Sequence, residues 1–137
     1  MLFPILFLTF LCSLIHGDPI HFDVAIHCDS SIKFWCGDII IYEHDTWTSH
    51  DILQQKKFCT AENAKDYKFT VSPGWDYSTH YEFAYVLHHN CTAEGMDRCL
   101  RPNEKTNVWT FGEHSIDFNI RAYENGLAKV CEGPNEN

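Results

Sequence analysis

The sequence predicts a small all-β domain, a disulfide-stapled sandwich of seven or eight strands preceded by a leader that is cut away. Three observations predict it. Apolar residues recur at every second position in several short segments separated by turn residues, the pattern of half-buried strands. Six cysteines follow the opening segment. That opening segment is an apolar run without Asp, Glu, Lys or Arg.

Taken in order, Leu2 to Ile15 is nearly unbroken apolar sequence. It falls short of the roughly 20 residues a membrane-spanning helix needs. It fits the hydrophobic region of a signal peptide over residues 1–17, with the small Gly17 as the last residue before cleavage. The expectation is a secreted, extracellular chain with no transmembrane segment. Residues 18–131 then form one domain, and residues 132–137 a disordered tail.

His21 to Cys28 alternates, with Phe22, Val24, Ile26 and Cys28 on one face. Asp38 to Glu43 is a β-branched run expected as a buried strand. His44 to Asp51 is polar and expected as loop. Ile52 to Thr60 reads equally as an edge strand or a short helix. Tyr67 to Val71 alternates again, and Pro73-Gly74 marks a turn. His80 to His89 is the clearest strand: Tyr81, Phe83, Tyr85 and Leu87 share a face that a helix would scatter. Asn90 to Lys105 is expected as a long loop, and Thr106 to Phe111 as a strand. Ser115 to Tyr123 points Ile116, Phe118, Ile120 and Ala122 inward. Asn125-Gly126 matches a two-residue hairpin turn, returning Leu127 to Cys131 as the last strand.

Cys28, Cys36, Cys59, Cys91, Cys99 and Cys131 lack the close thiol pairs of a zinc site, so three disulfides are expected. Six cysteines allow 15 pairings. The short gap between Cys91 and Cys99 favours a local bridge there. Cys36 with Cys59 and Cys28 with Cys131 complete that set.

The formal charge of −9 argues against nucleic acid as a partner. No cofactor or metal is expected. His80 and His88 share a face but stand too far apart for one ion, and no H-E-x-x-H occurs. Glu43, Asp45 and Asp51 form an acidic loop without an EF-hand pattern. Asn90-Cys91-Thr92 is an N-x-T sequon, which makes Asn90 a candidate glycan acceptor. Trp47 and Trp75 fall in expected loops, where large aromatics mark binding surfaces.

Three segments resemble the nematode transthyretin-like family. They are Val24 to Cys28 with Ile39 to Asp45; Tyr85 to Cys91 with Cys99-Leu-Arg-Pro102; and Ile116 to Ile120 with Gly126. The chain departs from that pattern in lacking a Gly-Lys-Pro turn after the first cysteine and in carrying Lys65-Asp66 where a glycine is usual. The resemblance implies a transthyretin-like β-sandwich and an extracellular binding role, toward a partner protein, a lipid or a small apolar ligand. An alternative within the same resemblance is a hydroxyisourate-type hydrolase. That reading needs two or three histidines to converge near an arginine, for instance His27 and His88 with Arg121, and it is disfavoured because the chain lacks a Tyr-Arg-Gly-Ser tail, ending instead in Glu132-Gly-Pro-Asn-Glu-Asn137. No enzyme is expected.

Overall fold

The computed structural model describes residues 17–74 and 78–135. The leader up to residue 16, Trp75 and the last two residues lie outside them. Among the described residues eight strands are formed: β1 (Ile20–His27), β2 (Trp35–Glu43), β3 (Asp51–Thr60), β4 (Ala64–Val71), β5 (His80–His89), β6 (Arg98–Leu100), β7 (Thr106–Trp109) and β8 (His114–Arg121). They make two sheets. In the first, β1 lies between β4, antiparallel, and β8, parallel. In the second the order is β3-β2-β5, and both β6 and β7 pair along the far side of β5.

The alternation read from the sequence determines which side chains meet between the sheets. Ile20, Phe22, Val24 and Ile26 of β1 face inward with Ile116, Phe118 and Ile120 of β8. Ile39, Ile41, Tyr81, Phe83 and Leu87 oppose them from the second sheet. Phe22 anchors this core, stacked on Phe69 at 4.9 Å and edge-on to Phe83 at 5.2 Å between ring centroids.

The outer face of the second sheet is covered as well. Tyr42, Ala84, Val86 and Cys99 are buried there, with Cys131 packed against them. The segment after β8 supplies the cover. Leu127 forms a single bridge with Cys99, and Pro134 is buried. The Gly133 carbonyl accepts from Arg101, and Asn135 Oδ1 accepts the His50 N–H at 2.9 Å. The stretch expected as a disordered tail is therefore laid on the sheet over residues 132–135.

Three further expectations are corrected. The stretch read as one loop after Asn90 contains β6, whose three residues are too few to show a period. The last strand, Leu127 to Cys131, is not formed. Positive φ falls on Glu124 (52°) and Gly126 (98°) rather than on Asn125 with Gly126, so the chain turns without a hairpin register. Asn125 instead spends its side chain on the turn, its Nδ2 donating to the Arg121 carbonyl and its Oδ1 accepting the Gly126 N–H.

The third correction concerns pairing. The disulfides are Cys28–Cys91, Cys36–Cys59 and Cys99–Cys131, so only Cys36–Cys59 agrees with the expected set. Cys91 points into the core beside the end of β1, whereas Cys99 faces the covered outer side of the second sheet. A short gap in sequence cannot join two thiols on opposite faces of a sheet.

Candidate functional site

The strand registers gather three connections, β2–β3, β4–β5 and β7–β8, and the entry to β1 at one end of the sandwich. Ile20 pairs with both Val71 and His114, so β1 and β8 start where β4 finishes. Glu43 pairs with Phe83, and His80 with Trp109, which brings the end of β2, the start of β5 and the end of β7 to that same end. Backbone bonds tie the loops together. The Gly112 N–H donates to Asp18 Oδ2 (2.6 Å), the Thr110 N–H to the Thr79 carbonyl (3.0 Å) and the His114 N–H to the Pro19 carbonyl (3.3 Å).

The β2–β3 loop is shaped by its own polar residues. Asp45 accepts the Trp47 N–H at 3.0 Å and the Thr48 hydroxyl at 2.5 Å. The Thr48 hydrogen bond, followed by that of the Trp47 N–H, holds the Asp45 carboxyl below its ordinary pKa. His50 Nδ1 accepts the Asp45 N–H at 2.9 Å, and its ring lies 4.3 Å from that of His44. His44 Nδ1 in turn lies 3.2 Å from Glu82. Partial burial, and after it the neighbouring His44, lower the His50 pKa.

This turn holds Trp47 in solvent at 92% exposure. Trp109, 59% exposed, packs at a tilt against His80 with ring centroids 4.2 Å apart, and Phe111 beyond it is 73% exposed. Three large aromatics thus stand out from loops and strand ends at one end of the domain. Solvent exposure at this level is costly for tryptophan and phenylalanine, and it recurs at interaction surfaces.

Of the tryptophans read from the sequence, Trp47 is at this end and Trp75 lies outside the described residues. Trp35 opens β2 and is fully buried, its Nε1 donating to the Glu62 carbonyl at 2.8 Å. Trp109 and Phe111 were not expected as binding residues. The available signal was the alternation of β7, which places Trp109 opposite the inward Val108, followed by Gly112.

The remaining candidate residues separate. His27 and Arg121 are neighbours on the outer face of the first sheet. His88 lies on the outer face of the second, 3.1 Å from Asp97. The grouping of His27, His88 and Arg121 offered for the hydrolase reading is not assembled. Among the described residues no group of three His, Cys, Asp or Glu is placed to hold a metal ion.

Asn90 is half-buried and structural: its Oδ1 accepts the Cys36 N–H at 2.7 Å, extending the β2 ladder. Thr92 is buried, and its Oγ1 accepts the Met96 N–H at 2.7 Å. His89 is also buried. Its Nε2–H donates to the Asn125 carbonyl (3.0 Å) and its Nδ1 accepts the Cys91 N–H (3.2 Å), which fixes a neutral tautomer. Burial lowers its pKa.

Three disulfides are consistent with an extracellular protein. Among the described residues no helix is long and apolar enough to cross a membrane. A family model described as Caenorhabditis elegans protein of unknown function (DUF870) matches residues 23–134. No curated protein and no solved structure gives a significant match.

Proposed function

The chain belongs to this Caenorhabditis elegans family, and from that premise we propose that it is a secreted extracellular binding protein that engages a partner protein through the loop end of its sandwich. The observation that carries the proposal is the exposure of Trp47, Trp109 and Phe111 together at that end. Aromatic side chains supply most of the energy of protein interfaces from a few positions.

Two observations favour a surface over an enclosed ligand. The inward side chains are packed on one another, with Phe22 in ring contact with Phe69, Phe83 and Phe118. The grooves beside Cys36–Cys59, beside His21 and Lys68, and beside His27 and Arg121 lie on the outside of the sheets. A lipid or small apolar ligand is for these reasons the less supported occupant.

The reading is non-enzymatic, and the separation of His88 from His27 and Arg121 supports it. We further propose that the sandwich is transthyretin-like. Support comes from the Cys28–Cys91 bond, which joins two of the segments that carry that resemblance, the opening strand and the His-x-Cys element after β5.

Native mass spectrometry of the full chain expressed in a eukaryotic secretion host tests these statements together. The expected species is secreted, begins at Asp18, holds three disulfides and carries no mass that delipidation removes. Retention in the cell with residues 1–17 intact refutes secretion. A defined mass lost on delipidation refutes the surface-binding version in favour of a small-ligand carrier.

A further inference from the structure

The three disulfides differ in access. Cys91 and Cys99 are buried, which shields two of the bonds. The third joins Cys36 to Cys59, directly opposite residues of β2 and β3, with Cα atoms 4.0 Å apart. Cys59 is exposed. The bond borders a groove of about 500 Å³ on the outer face of the second sheet, lined also by Lys57, His88, Asn90 and Asp97.

Exchange requires a thiolate to approach a sulfur along the S–S axis, so access to that line decides which bond reacts and at which sulfur. Here the axis crosses from a central strand to an edge strand. Attack on Cys36 would have to come from the β5 side, where Asn90 is bonded to the Cys36 backbone through both its N–H and its Oδ1. Attack on Cys59 comes from beyond β3, which pairs with β2 alone. The approach to Cys59 is open. The departing Cys36 thiolate would face the groove that holds Lys57, 3.7 Å from Asp38, and His88, 3.1 Å from Asp97.

We infer that Cys36–Cys59 is a thiol-exchange site for an extracellular dithiol, opened at Cys59 while the rest of the domain stays folded. One thiolate of the dithiol forms a bond to Cys59 Sγ as the Cys36–Cys59 bond breaks and Cys36 leaves as a thiolate. The second thiol of the dithiol then displaces Cys59. The dithiol ends as a disulfide, and its two electrons and two protons end on Cys36 and Cys59. Nothing else need move, because β2 and β3 are paired without a break in register from Trp35↔Thr60 to Ile41↔Gln54. The other two bonds tie β1 to the end of β5 and β6 to the C-terminal cover.

The test uses the native full chain with limiting dithiothreitol as the dithiol, followed by alkylation and peptide mapping over time. Cys36 and Cys59 should be alkylated at least tenfold faster than the other four cysteines, with near-ultraviolet circular dichroism unchanged during that phase. The double variant C36A/C59A should remain folded and lack the fast phase. Alkylation of Cys99 and Cys131, or of Cys28 and Cys91, at a comparable rate overturns the inference. So does labelling of all six only on global unfolding, or a fast phase that survives in C36A/C59A.

Discussion

Replacing Cys28 and Cys91 together with alanine removes the one disulfide, among the described residues, that ties the first sheet to the second. The bond closes a separation of 63 residues. A chain-entropy treatment of a loop that long gives about 4 kcal/mol of stabilisation, through restriction of the unfolded chain. The Cys36–Cys59 bond closes 23 residues, for which the same treatment gives about 3 kcal/mol. Burial widens the difference, because Cys91 is fully buried and its truncation also leaves space in the core, whereas Cys59 is exposed. Against a total of about 5–15 kcal/mol for an ordinary domain, a loss of about 4 is a large fraction. With a urea slope of about 2 kcal/mol per molar, the midpoint of C28A/C91A should fall by about 2 M. Urea unfolding followed by tryptophan fluorescence reads this directly, since Trp35 is buried in the core. A fall below about 0.5 M, or a larger fall in C36A/C59A than in C28A/C91A, would refute the reasoning.

Three further outcomes are expected. Stability should decline on acidification: His50 and His89 both have folded pKa values below the ordinary 6.5, so their contribution is complete above that value and is lost as pH falls through the lowered ones. Urea midpoints measured from pH 7.5 to pH 4.5 check this, and an H89F variant that keeps the whole acid dependence would exclude His89 as a source. Gly126→Ala should cost about 2 kcal/mol or more, because φ is +98° and an added Cβ would stand 2.6 Å from the Cys99 carbonyl oxygen; a thermal midpoint unchanged by the substitution would contradict it. Secreted chain should carry one glycan, at Asn90, whose mass both N90Q and T92A abolish. N90Q should in addition lower stability by about 1 kcal/mol through loss of the Oδ1 bond to the Cys36 N–H, and a wild-type chain of unmodified mass would end the glycan expectation.

The parts of the fold legible in the sequence are those where one side chain in two is buried. The alternation of Phe22, Val24 and Ile26, and of Ile116, Phe118 and Ile120, reports the inner face of the first sheet without ambiguity. The second sheet is harder to read because β5 is covered on both sides. Ala84 and Val86 look like the polar-side positions of an exposed strand, yet the C-terminal segment buries them. The same cover explains the missed β6 and the misread tail. A three-residue strand and a Gly-Pro-Asn segment have no period of their own, and their places are set by the Cys99–Cys131 bond.

Of the expected pairings only Cys36–Cys59 is formed, where β2 and β3, joined by one loop, bring the cysteines opposite each other. The other two pairings depend on which face of a sheet each thiol occupies, which gap length does not encode. The candidate site was half legible. Trp47 follows from a polar loop with Asp45 as its organiser, whereas Trp109 and Phe111 join it only because β7 pairs with the start of β5.

The central claim is that the loop end binds a partner protein, and paired capture tests it most directly. Wild-type protein and the W47A/W109A/F111A variant are immobilised at equal density and exposed to Caenorhabditis elegans extracellular fluid, with thermal midpoints confirming that both are folded. The account predicts a saturable protein ligand on the wild type whose affinity falls at least tenfold on the variant, as loss of several aromatic anchors at more than about 1 kcal/mol each requires. Equal retention of every ligand on the two surfaces would contradict it.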